Sequence, residues 1–376
     1  MNISVIITAC NEGPDLEATV ALAAASTPEP AEIIVVDDCS EVSIEQRLMG
    51  FGSVRVIRPE RQQGVAPSRN FGAVHSTGDV LVFLDSHMRM GADWLTAVAD
   101  AVTHYPYAVF CATCCSFERD KRLVGSGAYF GRTSIAVERK WLDRGDPAVV
   151  DRCPCVLGAC YIVPRVVWRQ LDGLNPNFFG WGCTEQDLSL RAWIMGFEVR
   201  RINGLVVAHR FHRSPTGPLL NHWEGGYNDL VLTATLFEDG IFEERYWPFL
   251  KQAYDPRALE LFEKNLPTIM DYRESVQRTR SYSDVELHSL CEFRVPTIKD
   301  QQRRLELLFD RRNRKRLAEL TDGLSYNTSS DPQGSVSRGA PFELHGPPPK
   351  TALPRGVREP HVPQPGEPIS AGCFGR

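Results

Sequence analysis

The sequence predicts an α/β protein with a Rossmann-like, mostly parallel sheet flanked by helices, followed by a helical extension and a disordered tail. Three observations predict it. The N-terminal third alternates Val- and Ile-rich runs with amphipathic stretches: ISVIITA, DLEATVALAAAS, EIIVVDD, the stretch around SIEQRLMG, VRVIRPE, APSRNFGAVHST and DVLVFLD. Continuous apolar strands separated by such helices imply a doubly wound parallel sheet covered on both faces. Polar clusters stand where these strands end: Thr8 to Glu12 after the first, Asp37 and Asp38 after the second, Asp85 to His87 after the fourth. In open parallel sheets, ligands bind outside the carboxyl ends of the strands. Finally, 376 residues at 43% hydrophobic content supply a core large enough for one α/β unit with an appendage.

Further along, residues 105–240 mix short strands, glycines and aromatics around a helix signal in TEQDLSLRAWIMGF. Residues 241–322 have a helical pattern, ending in the alternating charges of DQQRRLELLFDRRNRKRLAEL, which mark a solvated face. From residue 323 to 376 Pro, Gly and Ser dominate (HGPPPK, HVPQPGEPISAG), and such a segment cannot bury enough apolar surface to fold.

A formal net charge of -5 and a pI near 6.0 give no electrostatic reason to expect nucleic acid or an anionic membrane as partner. No window offers about eighteen uninterrupted apolar residues, so no integral membrane segment is expected. MNISVIITAC enters a strand at once, without the pattern of a signal peptide, and a cytoplasmic location is the expectation. The cysteine count is eleven, an odd number that favours thiols over a disulfide framework. Cys111, Cys114, Cys115, Cys153, Cys155 and Cys160 lack the paired C-x₂-C spacing of structural zinc sites, and buried thiols are the preferred reading.

Two common phosphate-binding motifs are missing. ITACNEG stands where a G-x-G-x-x-G fingerprint would follow the first strand, and no G-x-x-x-x-G-K-[ST] loop occurs. Nicotinamide dehydrogenases and P-loop enzymes are therefore disfavoured. DVLVFLDSHMRM instead carries Asp85 and His87 two apart where a strand ends. Residues i and i+2 of an extended segment point to one side, so the two can reach one object, most naturally a divalent metal. A lone D-x-H is more often an Asp capping a turn beside an unrelated His, and context has to decide. Asp38 closes a neighbouring strand, where a carboxylate can accept hydrogen bonds from a base edge or ribose; capping the next helix is its open alternative.

VVDDCSE, the stretch VRVIRPERQQGVAPSRNFGAVHSTGDVLVFLDSHMRMGADWL, GACYIVPR and FFGWGCTEQDLSLRAWIMGFEVRRINGLVVAHRFHR together resemble the catalytic domain of a GT-A glycosyltransferase. Most of the pattern resembles family 2, while DSH, the WG segment and the later histidine are similar to the polypeptide N-acetylgalactosaminyltransferases. The resemblance covers roughly residues 3 to 213. It implies a nucleotide-sugar-binding half at 1–104 and an acceptor-binding half at 105–240. The implied activity is transfer of a sugar from a nucleotide diphosphate sugar, most often a UDP-sugar, to an acceptor the sequence does not identify. Asp85, His87 and His209 become the implied ligands of a divalent cation, manganese in preference to magnesium, which stays open, because an imidazole in place of one carboxylate of the usual D-x-D softens the site. Donor contacts are expected from Thr8, Asn11, Glu12, Asp38, Arg69 and Asp85. Arg69 follows RQQGVAPS at the family's position for an arginine near the nucleotide, where a guanidinium can fork onto phosphate or ribose oxygens.

Glu185 and Asp187 open the predicted helix, with Thr184 as expected cap. Glu185 matches the catalytic base of family 2 enzymes, a Glu where Asp is usual, and Asp187 is either catalytic or a helix-end acid. His212 falls where the galactosaminyltransferases usually have Arg. Trp181, between glycines, is expected to stack on a sugar, to form a lid or to fill core. Gln-x-Trp lectin repeats are not found, and no mucin-type Golgi role is expected. Two rivals from other classes are a sugar nucleotidyltransferase, which would want a glycine- and arginine-containing loop after the first strand, and a non-catalytic nucleotide-sugar-binding module, which would be expected to lack the metal or base residues.

Overall fold

The computed structural model describes residues 1–52, 54–117, 124–131, 137, 139–211 and 223–309. His212, the end of the helical extension and the expected tail at 323–376 lie outside the described residues. The strands are β1 (Ile3–Ala9), β2 (Glu32–Asp37), β3 (Val54–Ile57), β4 (Val80–Asp85), β5 (Met88–Met90), β6 (Ala108–Ser116), β7 (Val124–Ser126), β8 (Ala128–Phe130), β9 (Arg139–Trp141), β10 (Val150–Arg152), β11 (Cys160–Pro164) and β12 (Glu198–His209). The helices are α1 (Pro14–Ala24), α2 (Glu45–Leu48), α3 (Val65–Val74), α4 (Trp94–His104), α5 (Arg165–Gln170), α6 (Thr184–Ile194), α7 (Trp223–Leu236), α8 (Trp247–Ala253), α9 (Pro256–Thr279), α10 (Leu287–Cys291) and α11 (Ile298–Phe309).

One sheet runs in the order β10-β12-β6-β11-β4-β1-β2-β3, with β5 added on β12 and β7 on β6. The halves on either side of residue 104 thus share a single hydrogen-bonded sheet. β1 pairs parallel with β2 and β4, and β2 parallel with β3. Their central residues, such as Ile6, Val35 and Phe83, are fully buried, which explains the unbroken apolar runs. Helix α3 packs on β1 and β2, and α4 and α6 pack on β12. Gly72 lets α3 approach, because a Cβ there would meet Ile6 and Val36.

β11 departs from the parallel pattern. It lies antiparallel to both β4 and β6, so β6 and β12 run in the same direction as β4. CYIVP is buried throughout, and an apolar run of that length says that a strand is interior without saying which way it points. The cysteines Cys111, Cys114, Cys153, Cys155 and Cys160 are buried and Cys115 is half-buried, none of them in a disulfide.

α7 is buried from Gly225 to Leu236, and α9 packs along it. α8 and α11 pack around the π-turn Phe242–Tyr246 that precedes α8. No helix among the described residues is long and apolar enough to cross a membrane.

α6 is buried along almost its whole length although Thr184, Gln186, Asp187, Ser189 and Arg191 are polar. Each buried polar group must find a partner. Arg191 Nε donates to Asp187 Oδ2 at 2.9 Å one turn away, and its terminal nitrogens donate to the carbonyls of Leu171 and Gly173. Ser189 accepts from the Val156 amide, and Gln186 donates to the Val137 carbonyl. Asp187→Ala leaves the fully buried Arg191 without its counter-charge, and denaturant unfolding is expected to show a loss of about 3–5 kcal/mol.

Candidate active site

Because β1, β2, β4 and β12 share a direction, their C-terminal ends meet at one edge of the sheet. Thr8 lies opposite Asp85, and Ala9 opposite Asp37. A cleft of about 720 Å³ opens there, lined by Thr8, Glu12, Asp38, Arg69, Asp85, His87, Glu185 and His209. Cys10, Gln62, Gln63, Trp141, Phe211 and Glu224 also line it. Cys10, Gln62, Gln63 and Phe211 fall within the motif segments, which do not single them out as site residues, and Trp141 and Glu224 reach the site only through tertiary packing.

Asp85 and His87 converge differently from the sequence expectation. The strand ends at Asp85, Ser86 and His87 form a bend, and the chain then re-enters the sheet as β5. β5 pairs antiparallel with the end of β12, setting Met88 opposite His209, and the Arg210 amide donates to the His87 carbonyl. Strand pairing, not side-chain alternation along one strand, brings His87 to His209. His87 Nε2 lies 3.1 Å from His209 Nε2, which lies 3.2 Å from Asp85 Oδ2. One ligand atom from each of the three residues falls within 4.8 Å of the others, the one such His/Cys/Asp/Glu group among the described residues. Two imidazole nitrogens and one carboxylate oxygen form a donor set that fits a divalent transition-metal ion.

Burial opposes a charge on Asp85, yet the His209 hydrogen bond and the Arg69 cation hold its carboxyl below the usual range. Burial likewise opposes a charge on His87, but Glu12, hydrogen-bonded to Nδ1 at 3.1 Å, and the Asp85 charge raise its pKa above the ordinary imidazole value.

Arg69 sits in the body of α3 and is only 2% exposed. Its guanidinium donates to Asp85 Oδ1 at 2.7 Å, to the Tyr161 hydroxyl and to the Gly158 carbonyl at 3.3 Å. Although it borders the cleft, its hydrogen bonds are made to Asp85 and the neighbouring Tyr161 and Gly158, so it acts as a support for Asp85. Asp38 faces the cleft, with Oδ1 and Oδ2 accepting the amides of Gln63 and Gly64, both at 2.9 Å. It orders the loop that enters α3. Asn11 does not line the cleft. With φ of 55°, it ties the loop after β1 to Ser40 and Glu41.

On the opposite wall, Glu185 stands in the first turn of α6 and lines the cleft. Gly158 makes room for it, since a Cβ there would overlap Glu185 Oε1. Asp187 is not brought to the cleft. It is fully buried with Arg191, which corrects its catalytic assignment to a structural one. Thr184 is not the cap: Cys183 holds that position in the left-handed region at φ 63°, without a side-chain capping bond. The segment before α6 is fixed by Asn228 of α7, 1% exposed. Asn228 donates to the carbonyls of Phe179, Trp181 and Gly182 and accepts from the Phe179 amide. Trp181 projects from this segment 52% exposed, which excludes a core role.

This mixed, mostly parallel sheet with its flanking helices is a GT-A fold, and a solved structure shares it. The crystal structure of GalNAc-T7 with UDP, GalNAc and Mn2+ superposes with a TM-score of 0.61 at 18% identity, over 77% of this chain and 56% of that one. Residues 4–147 match the family model Glycosyl transferase family 2. Over 232 residues it is 29% identical to polypeptide N-acetylgalactosaminyltransferase 10 of Rattus norvegicus, covering 56% of this chain and 38% of that protein. Over 180 residues it is also 29% identical to the inactive polypeptide N-acetylgalactosaminyltransferase-like protein 5 of Macaca fascicularis, covering 44% of this chain and 41% of that one. The chain thus spans well under half the length of these relatives, and similarity reaches a relative named inactive. The chemistry has to be argued from the residues in the cleft.

A cation can bind only neutral imidazoles, and the raised pKa of His87 favours its protonated form. Protons therefore compete earlier than at an isolated imidazole. Manganese titrations monitored by electron paramagnetic resonance are expected to show affinity falling as the pH drops, beginning above the ordinary imidazole pKa of about 6.5.

Proposed function

We propose that this protein is a metal-dependent glycosyltransferase that moves a sugar from a nucleotide diphosphate sugar, a UDP-sugar in the first instance, onto an acceptor hydroxyl. The observation that carries this reading is the convergence of Asp85, His87 and His209 in the same cleft as Glu185. Asp85, His87 and His209 would hold the cation, manganese as in the GalNAc-T7 structure. The bound cation supplies charge neutralisation for the departing diphosphate.

The remaining work falls to the chain itself. Asp38 holds the loop at Gln63 and Gly64, and this loop with Thr8 lines the donor end of the cleft. Arg69 fixes one oxygen of Asp85 and leaves the other turned to His209. Glu185 takes the acceptor proton on its carboxylate as the hydroxyl oxygen bonds to the anomeric carbon. The bond from that carbon to the diphosphate breaks, and the nucleoside diphosphate leaves. A single displacement of this kind inverts the anomeric configuration. Competent metal-site and base residues in one cleft favour this reading over a non-catalytic binding module.

Glu185→Gln keeps the size of the side chain and removes its basicity. Turnover is expected to fall about 10²-fold or more, with calorimetric UDP affinity unchanged. Retention of the donor's configuration in the product would remove Glu185 from the role of base, and full turnover in a chelator would sink the metal mechanism.

A further inference from the structure

The three ligand atoms face a problem of proton placement. His87 Nε2 and His209 Nε2 stand 3.1 Å apart. Two bare nitrogen lone pairs repel at that distance, so one carries a proton or a cation lies between them. Which nitrogen of each ring holds its proton is set by the partner at the other nitrogen.

The two histidines differ in this respect. His87 Nδ1 lies 3.1 Å from Glu12 Oε1, with the Ser86 hydroxyl at 3.3 Å. An ionised carboxylate only accepts, so Nδ1 next to it is the protonated nitrogen, and Nε2 is left with its lone pair facing His209 and Asp85. A hydroxyl can serve as acceptor as well, so Ser86 is compatible with this state. His209 Nδ1 is buried and has no hydrogen-bond partner. The His209 ring is instead placed by packing, with the Phe211 ring edge-on at 4.4 Å and Met88 paired opposite in β5. In the absence of a cation, a proton on His209 Nε2 satisfies both facing acceptors, His87 Nε2 and Asp85 Oδ2 at 3.2 Å.

We propose that Glu12 is the positioning residue of this site: its carboxylate holds the proton of neutral His87 on Nδ1 and so keeps Nε2 presented as a metal ligand. A cation then has one proton to displace, from His209 Nε2, and none from His87. Glu12 is itself well placed for this task. Its carbonyl accepts from Arg47 at 2.9 Å, and the preceding Asn11 is anchored to Ser40 and Glu41, so the loop after β1 is braced on both sides. The donor end of the cleft and the metal ligands are thereby joined through one side chain. The inference rests on the metal-dependent reading and adds to it a residue that need not touch the metal.

The test compares wild type, Glu12→Ala and Glu12→Gln. Glutamine can still accept the Nδ1 proton through Oε1 while carrying no charge. Manganese affinity is measured by electron paramagnetic resonance, and the tautomer of His87 by nitrogen-15 NMR of the metal-free protein in alkaline buffer, where the ring is neutral. Glu12→Ala is expected to weaken manganese binding about 10–100-fold, the usual effect of removing a residue that orients a ligand, with His87 becoming a mixture of tautomers. Glu12→Gln should recover most of the affinity and the wild-type tautomer. Wild-type affinity in Glu12→Ala, a loss in Glu12→Gln equal to that in Glu12→Ala, or His87 protonated on Nε2 in the wild type would each overturn the proposal. Failure of the wild type to bind manganese would instead overturn the metal-dependent reading on which it rests.

Discussion

Asp85 carries a negative charge at the point where four parallel strands run out, and the surrounding groups are arranged around that charge. Burying a carboxylate is costly unless it is paired and hydrogen-bonded. One oxygen is held by Arg69 and the other faces His209. Arg69 is in turn buried, and its remaining hydrogen bonds reach Tyr161 on β11 and the Gly158 carbonyl beside Glu185. Its cation also interacts through space with Glu185. A single guanidinium therefore neutralises the Asp85 carboxylate while lying within electrostatic reach of the Glu185 carboxylate across the cleft. The antiparallel insertion of β11 is what places Tyr161 and Gly158 there, so an irregularity of the sheet is part of the site.

Much of this was legible in the sequence for reasons that are physical. Continuous Val and Ile runs encode strands buried on both faces, and polar residues at their ends encode the ligand edge. Asp85, His87 and His209 were found through ordered motifs, and the structure brings them together. Other features were not legible because they depend on contacts between distant segments. The alternation of side chains along one strand does not describe Ser86 and His87, which bend into β5. Arg69 bonds to Tyr161 of β11, and Glu12 was readable as an expected donor contact but not as the partner of an imidazole 75 positions away. Asp187 shows the opposite failure: an acid in the first turn of a helix looks the same in sequence whether it faces a cleft or a buried arginine.

The family model ends at residue 147, while Glu185, His209 and Asn228 all lie beyond it. The matched portion supplies one edge of the cleft, with Thr8, Asp38 and Asp85. The opposite wall is built from α6 and the segment before it, and α7 of the C-terminal helical layer braces that segment. The layer is thus an integral support for the cleft, with buried α7 packed between α6 and α9.

Asn228 gives that support a particular character. It grips the 179–182 segment through main-chain atoms alone, so the course of the wall does not depend on which side chains it displays. Phe179 and Trp181 both stand substantially exposed on that fixed backbone. Such a wall can be resurfaced, one outward-facing residue at a time, without redesigning its frame. For protein engineering this separates the surface of the wall from its folding: the positions to randomise are the displayed rings, and the position to leave alone is the amide behind them.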